Sequence, residues 1–212
     1  GVSVGIPADD SMATLIDEVS DYVAAGYVRI KLKIQPGWDI EPVREVRRLW
    51  PDIALQVDAN QAYHRDSIVH LSQLDQFNLL LIEQPLTEED ILGHAQMVKG
   101  MNTPICLDET VVSLETAEQC LDLKACDIIN IKPGRVGGYL EAKRIHDLCV
   151  KRNIPVWCGG MLETGIGRAA NIAMAALPGY TVVGDISESE RFYREDITAP
   201  FRLHNGHMHV PN

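Results

Sequence analysis

Lys31-Leu32-Lys33, Val57-Asp58-Ala59-Asn60, Ile82-Glu83-Gln84-Pro85, Leu107-Asp108-Glu109 and Ile131-Lys132-Pro133 form a ladder of charge at the ends of successive apolar runs. The rungs are evenly spaced: Lys33, Asp58, Glu83 and Asp108 follow one another at intervals of 25 residues, and Lys132 comes 24 residues later. A strand, a turn, a helix and a return loop take roughly that length in a parallel sheet, because parallel neighbours need a crossover. Each charged residue then belongs to its own strand. At the carboxyl-terminal ends of those strands, all five converge on one mouth, where a barrel of alternating strands and helices keeps its chemistry.

Outward from the ladder, eight strand-like runs at residues 2–6, 27–34, 53–58, 79–82, 104–107, 128–131, 154–158 and 182–184 alternate with seven helical patterns. This count predicts an α/β fold, a TIM-like (β/α)7β barrel rather than an open sheet. The first helix, reaching about residue 25, has Ser11 as its cap and Gly26 as its stop. In the second strand Val28, Ile30, Leu32 and Ile34 share one face, and Arg29, Lys31 and Lys33 the other. That alternation alone fits a half-exposed antiparallel strand equally well. The run Leu79-Leu80-Leu81-Ile82 fits a strand buried on both faces. A helix is expected near 67–77, and another over 88–99. Gly134, Gly137 and Gly138 form a turn like a phosphate loop. Residues 1–212 are expected to be one catalytic barrel domain, ending in a polar tail over about 185–212 with a short strand near 208–210.

A chain of 212 residues suffices for one well-buried core. Its 30 acidic and 19 basic residues give a formal net charge of −11 with no basic run, which argues against nucleic acid or an anionic membrane as partner. No apolar stretch approaches the roughly 20 residues of a membrane span, and no secretory leader is evident. Cys106, Cys120, Cys126, Cys149 and Cys158 form no CxxC pair, so reduced core thiols in a cytoplasmic protein are the simplest expectation. The chain opens on Gly1 without an initiator Met, and we expect it to be part of a longer protein.

Asp58, Glu83 and Asp108 offer hard oxygen donors only, which suit Mg²⁺, with Mn²⁺ as a substitute, better than zinc. Singly, each acid is more simply a helix cap or a surface charge. Three crowded at one mouth would repel strongly without a cation. Lys33 and Lys132, on the second and sixth strands, face each other across them. A lysine becomes a general base when burial and a neighbouring cation depress its pKa, and Lys31 is placed to supply that like charge. The alternative is that the lysines only neutralise the carboxylates, in a non-catalytic metal-binding barrel.

These residues resemble a known family. With Gly159-Gly160-Met161-Leu162-Glu163-Thr164-Gly165, Arg191-Phe192-Tyr193, Asp196-Ile197-Thr198 and Gly206-His207, the ladder is similar over essentially the whole chain to the enolase superfamily. The likeness is to the muconate lactonizing enzyme-like subgroup, and within it to the o-succinylbenzoate synthase and N-acylamino acid racemase family. The resemblance implies an enolase C-terminal domain-like barrel in which Asp58, Glu83 and Asp108 hold Mg²⁺ and the substrate is a small carboxylate. One lysine would take the α-proton, giving either dehydration to o-succinylbenzoate in menaquinone synthesis or racemisation of an N-acylamino acid, such as an N-succinylamino acid. Another lactonizing relative remains an alternative. Asn60, Gly160, Met161 and Ser3 are the implied substrate neighbours. Asp185-Ile186-Ser187 lacks the second carboxylate typical of dipeptide epimerases, which weakens a free-ammonium substrate. Relatives carry an N-terminal capping domain over the mouth, absent from this chain, and are commonly homo-oligomers. The fragment alone is therefore expected to be weakly active or inactive, because water exclusion strengthens electrostatic catalysis.

Overall fold

In the computed structural model, which describes residues 1–211, seven strands pair in parallel in strict chain order: β1 (Val2–Val4), β2 (Arg29–Lys33), β3 (Ala54–Asp58), β4 (Ile82–Glu83), β5 (Ile105–Leu107), β6 (Ile128–Ile131) and β7 (Val156–Cys158). The antiparallel alternative for the second strand is thereby excluded. The crossovers carry α1 (Met12–Ala24), α2 (Ile40–Leu49), α3 (Ile68–Leu71), α4 (Ile91–Gly100), α5 (Leu114–Asp122) and α6 (Tyr139–Lys151), and α7 (Gly165–Ala175) follows β7. Helix starts follow their caps. Ser11 accepts from the Thr14 amide, Asp90 from the Gly93 amide, and Ser113 and Thr116 close a reciprocal capping box on α5.

The registers show why the ladder converges. Lys33 pairs with Asp58 and Asp58 with Glu83, side by side on neighbouring strands. Glu83 pairs with Cys106, so Asp108 stands two residues further along, and Cys106 pairs with Ile128, so Lys132 stands four further. Both steps are even. Because strand side chains alternate with period two, every rung keeps to the same face of the sheet.

That face changes character along the strands. Leu81, Cys106, Ile128 and Trp157 pack together as a small buried cluster. The Arg29 guanidinium, fully buried, lies 4.8 Å from the Trp157 ring centroid. Further toward the carboxyl ends, the interior side chains are Lys31, Gln56, Glu83 and Asn130, all buried. The opposite face packs on the helices through Ile30, Leu55, Val57, Ile82, Ile105 and their neighbours. The five cysteines are all buried and unpaired.

Several expected elements differ. The run at 182–184 does not form an eighth strand: the Val182 amide donates to the Val156 carbonyl at 3.2 Å, and a single bridge joins Val156 to Tyr180. A Cβ on Gly184 would lie 2.6 Å from the Cys158 carbonyl oxygen, so the chain passes close against β7 there. The helix expected over 67–77 is broken into a 3-10 turn (Arg65–Ser67), the single turn α3 and a second 3-10 segment (Ser72–Phe77). Within the 79–82 run only Ile82 is in a strand, and Leu80 is 40% exposed. The helix expected from 88 starts at Ile91, where Asp90 caps it. No strand forms over 208–210; the tail instead makes a tight turn closed by His204 and His207, and Asn212 lies outside the described residues. No helix among the described residues is long and apolar enough to cross a membrane.

Candidate active site

Lys33, Lys31 and Lys132 line one cavity of about 360 Å³ at the carboxyl ends of the strands, together with Ser3, Gly160, Met161, Asp185 and Phe192. That volume falls in the range of small-ligand sites. Of the ten residues expected at the site, Lys31, Lys33, Lys132, Ser3, Gly160 and Met161 border the cavity directly. Asp58, Glu83 and Asp108 lie behind the lysines, almost fully buried, and Asn60 beside them.

The carboxylates are shared among the ammonium groups. Lys31 Nζ stands 2.7 Å from Asp185, 2.9 Å from Glu83 and 3.3 Å from Asp58. Lys33 Nζ is 2.7 Å from Asp58 and also donates to Asn60. Lys132 Nζ is 2.7 Å from Asp108, whose other oxygen takes Arg135. Among the described residues no three His, Cys, Asp or Glu side chains are gathered into a closed cation cage. Lys31 is instead what stands between Asp58, Glu83 and Asp185.

The protonation states follow from this packing. Burial alone would lower the Lys31 pKa, but Asp185, Glu83 and Asp58 outweigh it and hold the group well above its ordinary value. Lys132 is likewise raised, Asp108 and Glu83 overcoming the burial effect. Burial pushes the Asp58 carboxyl up, yet Lys31 and Lys33 more than offset it and bring it below its usual value. Glu83 goes the other way: burial, with the Asp58 charge beside it, pushes its carboxyl up to about 8. Glu109 is also raised, by burial and by Asp108, and its Oε2 is buried with no partner.

This donor set fits a hard divalent cation. The donors are oxygens only and are removed from water, and the Glu83 carboxyl is raised by burial and by the Asp58 charge beside it. Asp58, Glu83 and Asp108 are the residues that would hold the ion.

Some of the supporting residues escape a reading of the sequence. Asp185 receives Lys31 and accepts the Gly160 amide at 2.8 Å, fixing the turn after β7. Asn130 donates to Glu83 at 2.8 Å. It sits two residues before Lys132, as Lys31 precedes Lys33, and that shared period was the available signal. Gly159 makes room for both residues, since a Cβ there would fall 2.7 Å from Lys132 Cε and closer still to Asn130. Glu109 accepts from Asn60 at 2.9 Å, and Asn60 in turn receives Lys33. No spacing rule announces Arg135 or Glu109. Ser187, where a second acid would stand, is buried and gives its carbonyl to Arg168.

Residues 14–212 match the model of the enolase C-terminal domain-like family. An N-succinylamino acid racemase of Amycolatopsis sp is 60% identical over the whole chain, which covers 57% of that protein. An o-succinylbenzoate synthase of Geobacillus kaustophilus is 51% identical, again over the whole chain and 56% of the relative. A solved member of the enolase superfamily from Listeria innocua superposes with a TM-score of 0.94 at 46% identity, covering all of this chain and 57% of that one. The chain thus spans a little over half the length of the relatives it matches. By sequence and by fold, it belongs to the enolase C-terminal domain-like family.

Proposed function

We propose that the protein containing this chain is a Mg²⁺-dependent o-succinylbenzoate synthase that also racemises N-succinylamino acids. The observation that carries this reading is that Lys33 and Lys132, with three strands between theirs, border one cavity over Asp58, Glu83 and Asp108. The relatives named for the two activities support it, since each is about half or more identical over the full chain. The finer architecture belongs to the same proposal: the seven strands close into a TIM-like (β/α)7β barrel with the irregular run at 182–184 lying between β7 and β1, residues 1–212 form the catalytic domain, and the remainder of the protein supplies a capping domain over the mouth. A homo-oligomer in the cytoplasm completes the picture, in keeping with five unpaired thiols.

Bound Mg²⁺ would supply positive charge where a substrate carboxylate becomes enolate-like. The rest falls to the chain. Lys33, its side chain 32% exposed at the cavity wall, takes the proton alpha to the carboxylate at Nζ, with Asn60 aligning it. When a hydroxyl leaves the adjacent carbon, Lys33 returns the proton to it as water forms, and Lys132 stabilises the enolate as a cation. When no group can leave, Lys132 delivers a proton to the opposite face and the centre is inverted. Lys33 must first lose its proton, and ligand or cation binding to Asp58 would loosen the pair that holds its ammonium group, while Lys132 keeps its proton beside Asp108. Ser3, Gly160 and Met161 shape the wall on the β1 and β7 sides.

The test is exchange of the substrate α-proton in D₂O by the full-length protein with Mg²⁺, offered N-succinylamino acids and the cyclohexadiene precursor of o-succinylbenzoate side by side. Exchange and turnover of both are expected. Absence of exchange with either would leave the inert metal-binding barrel as the better account.

A further inference from the structure

Gln84 follows Glu83 directly, yet it is fully buried and adopts a left-handed backbone, with φ of 39°. For a residue other than glycine that conformation is unfavourable, and something must hold it. Its side chain makes four hydrogen bonds of 3.2 Å or shorter, with His94 Nε2 a longer contact at 3.5 Å. Oε1 accepts the main-chain amides of Asp108 at 3.0 Å and Thr110 at 3.2 Å. Nε2 donates to Thr110 Oγ1 at 2.8 Å and to the Leu86 carbonyl at 3.1 Å. The Gln84 amide itself donates to the Cys106 carbonyl at 2.9 Å, continuing the ladder between β4 and β5 past Glu83. The left-handed turn therefore brings one side-chain amide onto the loop that carries Asp108.

We propose that Gln84 is a positioning residue of the cation site: its side-chain amide fixes the main chain at 108–110 and thereby aims the Asp108 carboxylate at the mouth beside Glu83. The inference rests on the functional reading above, in which Asp108 and Glu83 bind one cation. Two ligand-bearing strands, β4 and β5, are locked at their ends by this one group. Asp108 stands past the end of β5, where ladder bonds no longer hold it. Outer residues that orient metal ligands commonly contribute about 10–100-fold to metal affinity.

Three variants of the full-length protein separate the side chain from the backbone. Gln84→Gly relieves the left-handed strain but removes the clamp, Gln84→Ala removes the clamp and keeps the strain, and Thr110→Val removes one of the four bonds. Mn²⁺ alone, titrated by electron paramagnetic resonance, is the probe. Both Gln84 variants are expected to bind it at least about 10-fold more weakly than the unaltered protein, with Thr110→Val intermediate. Amide exchange of the peptide 107–111, followed by mass spectrometry, should accelerate in both Gln84 variants while β2 and β3 stay protected. Wild-type Mn²⁺ affinity in Gln84→Gly would overturn the proposal, since a merely structural residue relieved of strain should behave that way. Unchanged exchange at 107–111 would overturn it too. Failure of the unaltered protein to bind Mn²⁺ would sink the functional reading and this inference's cation arm together, while the exchange experiment would still decide whether the clamp exists.

Discussion

The same face of one sheet is a packed core at one end and a charged cavity at the other. At the amino-terminal end of the strands, Leu81, Cys106, Ile128 and Trp157 close on one another. Two to four residues further along the same strands stand Glu83, Asp108 and Lys132, and beside them Lys31 and Asp58. The first group gains stability by leaving water, while the second gives some up, because ionised groups are costly to bury even when paired. The difference teaches that period-two alternation decides only which face a residue takes. Position along the strand decides whether it serves the fold or the chemistry.

The largest effects should come from the charged end, and should be seen in turnover rather than stability. Lys33→Ala and Lys132→Ala are each expected to reduce α-proton exchange or turnover in the full-length protein by about 10²–10⁴-fold, the usual contribution of a positioned acid or base. Far-ultraviolet circular dichroism and Tm should stay near wild type for Lys33, whose side chain is partly exposed. Retained exchange in both variants would break the comparison at its catalytic end.

The apolar end should respond in the opposite sense. Trp157→Ala empties a fully buried site between Leu81, Cys106 and Ile128 and removes the ring beneath Arg29. A loss of about 3–5 kcal/mol in chemical denaturation is expected. A loss below about 1 kcal/mol would mean that this end of the sheet is not the core described.

Glu83→Gln sharpens the contrast with a smaller change. The Glu83 carboxyl is raised to about 8 in the folded protein, so its ionisation between the ordinary glutamate range and pH 8 works against folding. Above that window the neutral amide removes the cost, although Lys31 loses one of its three partners. The metal-free variant is expected to keep or exceed wild-type Tm at pH 8, and to lose the Tm increase that saturating Mg²⁺ gives the unaltered protein. A fall in metal-free Tm at pH 8 would show that the ion pair with Lys31 outweighs burial.

Much of this was legible in the sequence, and for a definite reason. The 25-residue interval reports crossover length, so it placed Lys33, Asp58, Glu83 and Asp108 each on its own parallel strand, while their shared face comes from the registers. Element edges were less legible where tertiary bonds override local preference. Phe77 and Asn78 give their carbonyls to Arg47, for example, at the end of the broken 67–77 helix. The run at 182–184 has the hydropathy of a strand, but one bridge and one hydrogen bond are what tie this stretch to β7, and an apolar pattern does not distinguish the two. Partners such as Arg135, and the pairing of Asp185 with Lys31, are set by where loops return, and a single sequence carries no signal for that.

The smallest expected effect tests whether charge as such, or its place in the sheet, makes Glu83 unusual. Asp75 is another carboxylate, located where the second 3-10 segment meets the loop that enters β5, on the side away from the mouth. It accepts the Asn102 amide at 2.9 Å, and the Thr103 amide and hydroxyl at 2.8 and 2.7 Å. Burial would raise its pKa, but these donors favour the ionised form and leave it below the ordinary aspartate value. The sign is therefore opposite to that of Glu83: the Asp75 contribution is fully present above the unfolded aspartate pKa and is lost as pH falls through the lowered folded value. Asp75→Ala is expected to cost about 1 kcal/mol at neutral pH, the bonds to a charged acceptor being discounted for solvent screening. The gap between variant and parent in urea denaturation should narrow as pH drops below about 4. A gap that persists unchanged at low pH would assign the loss to packing, and would remove Asp75 as the counterexample that isolates the mouth.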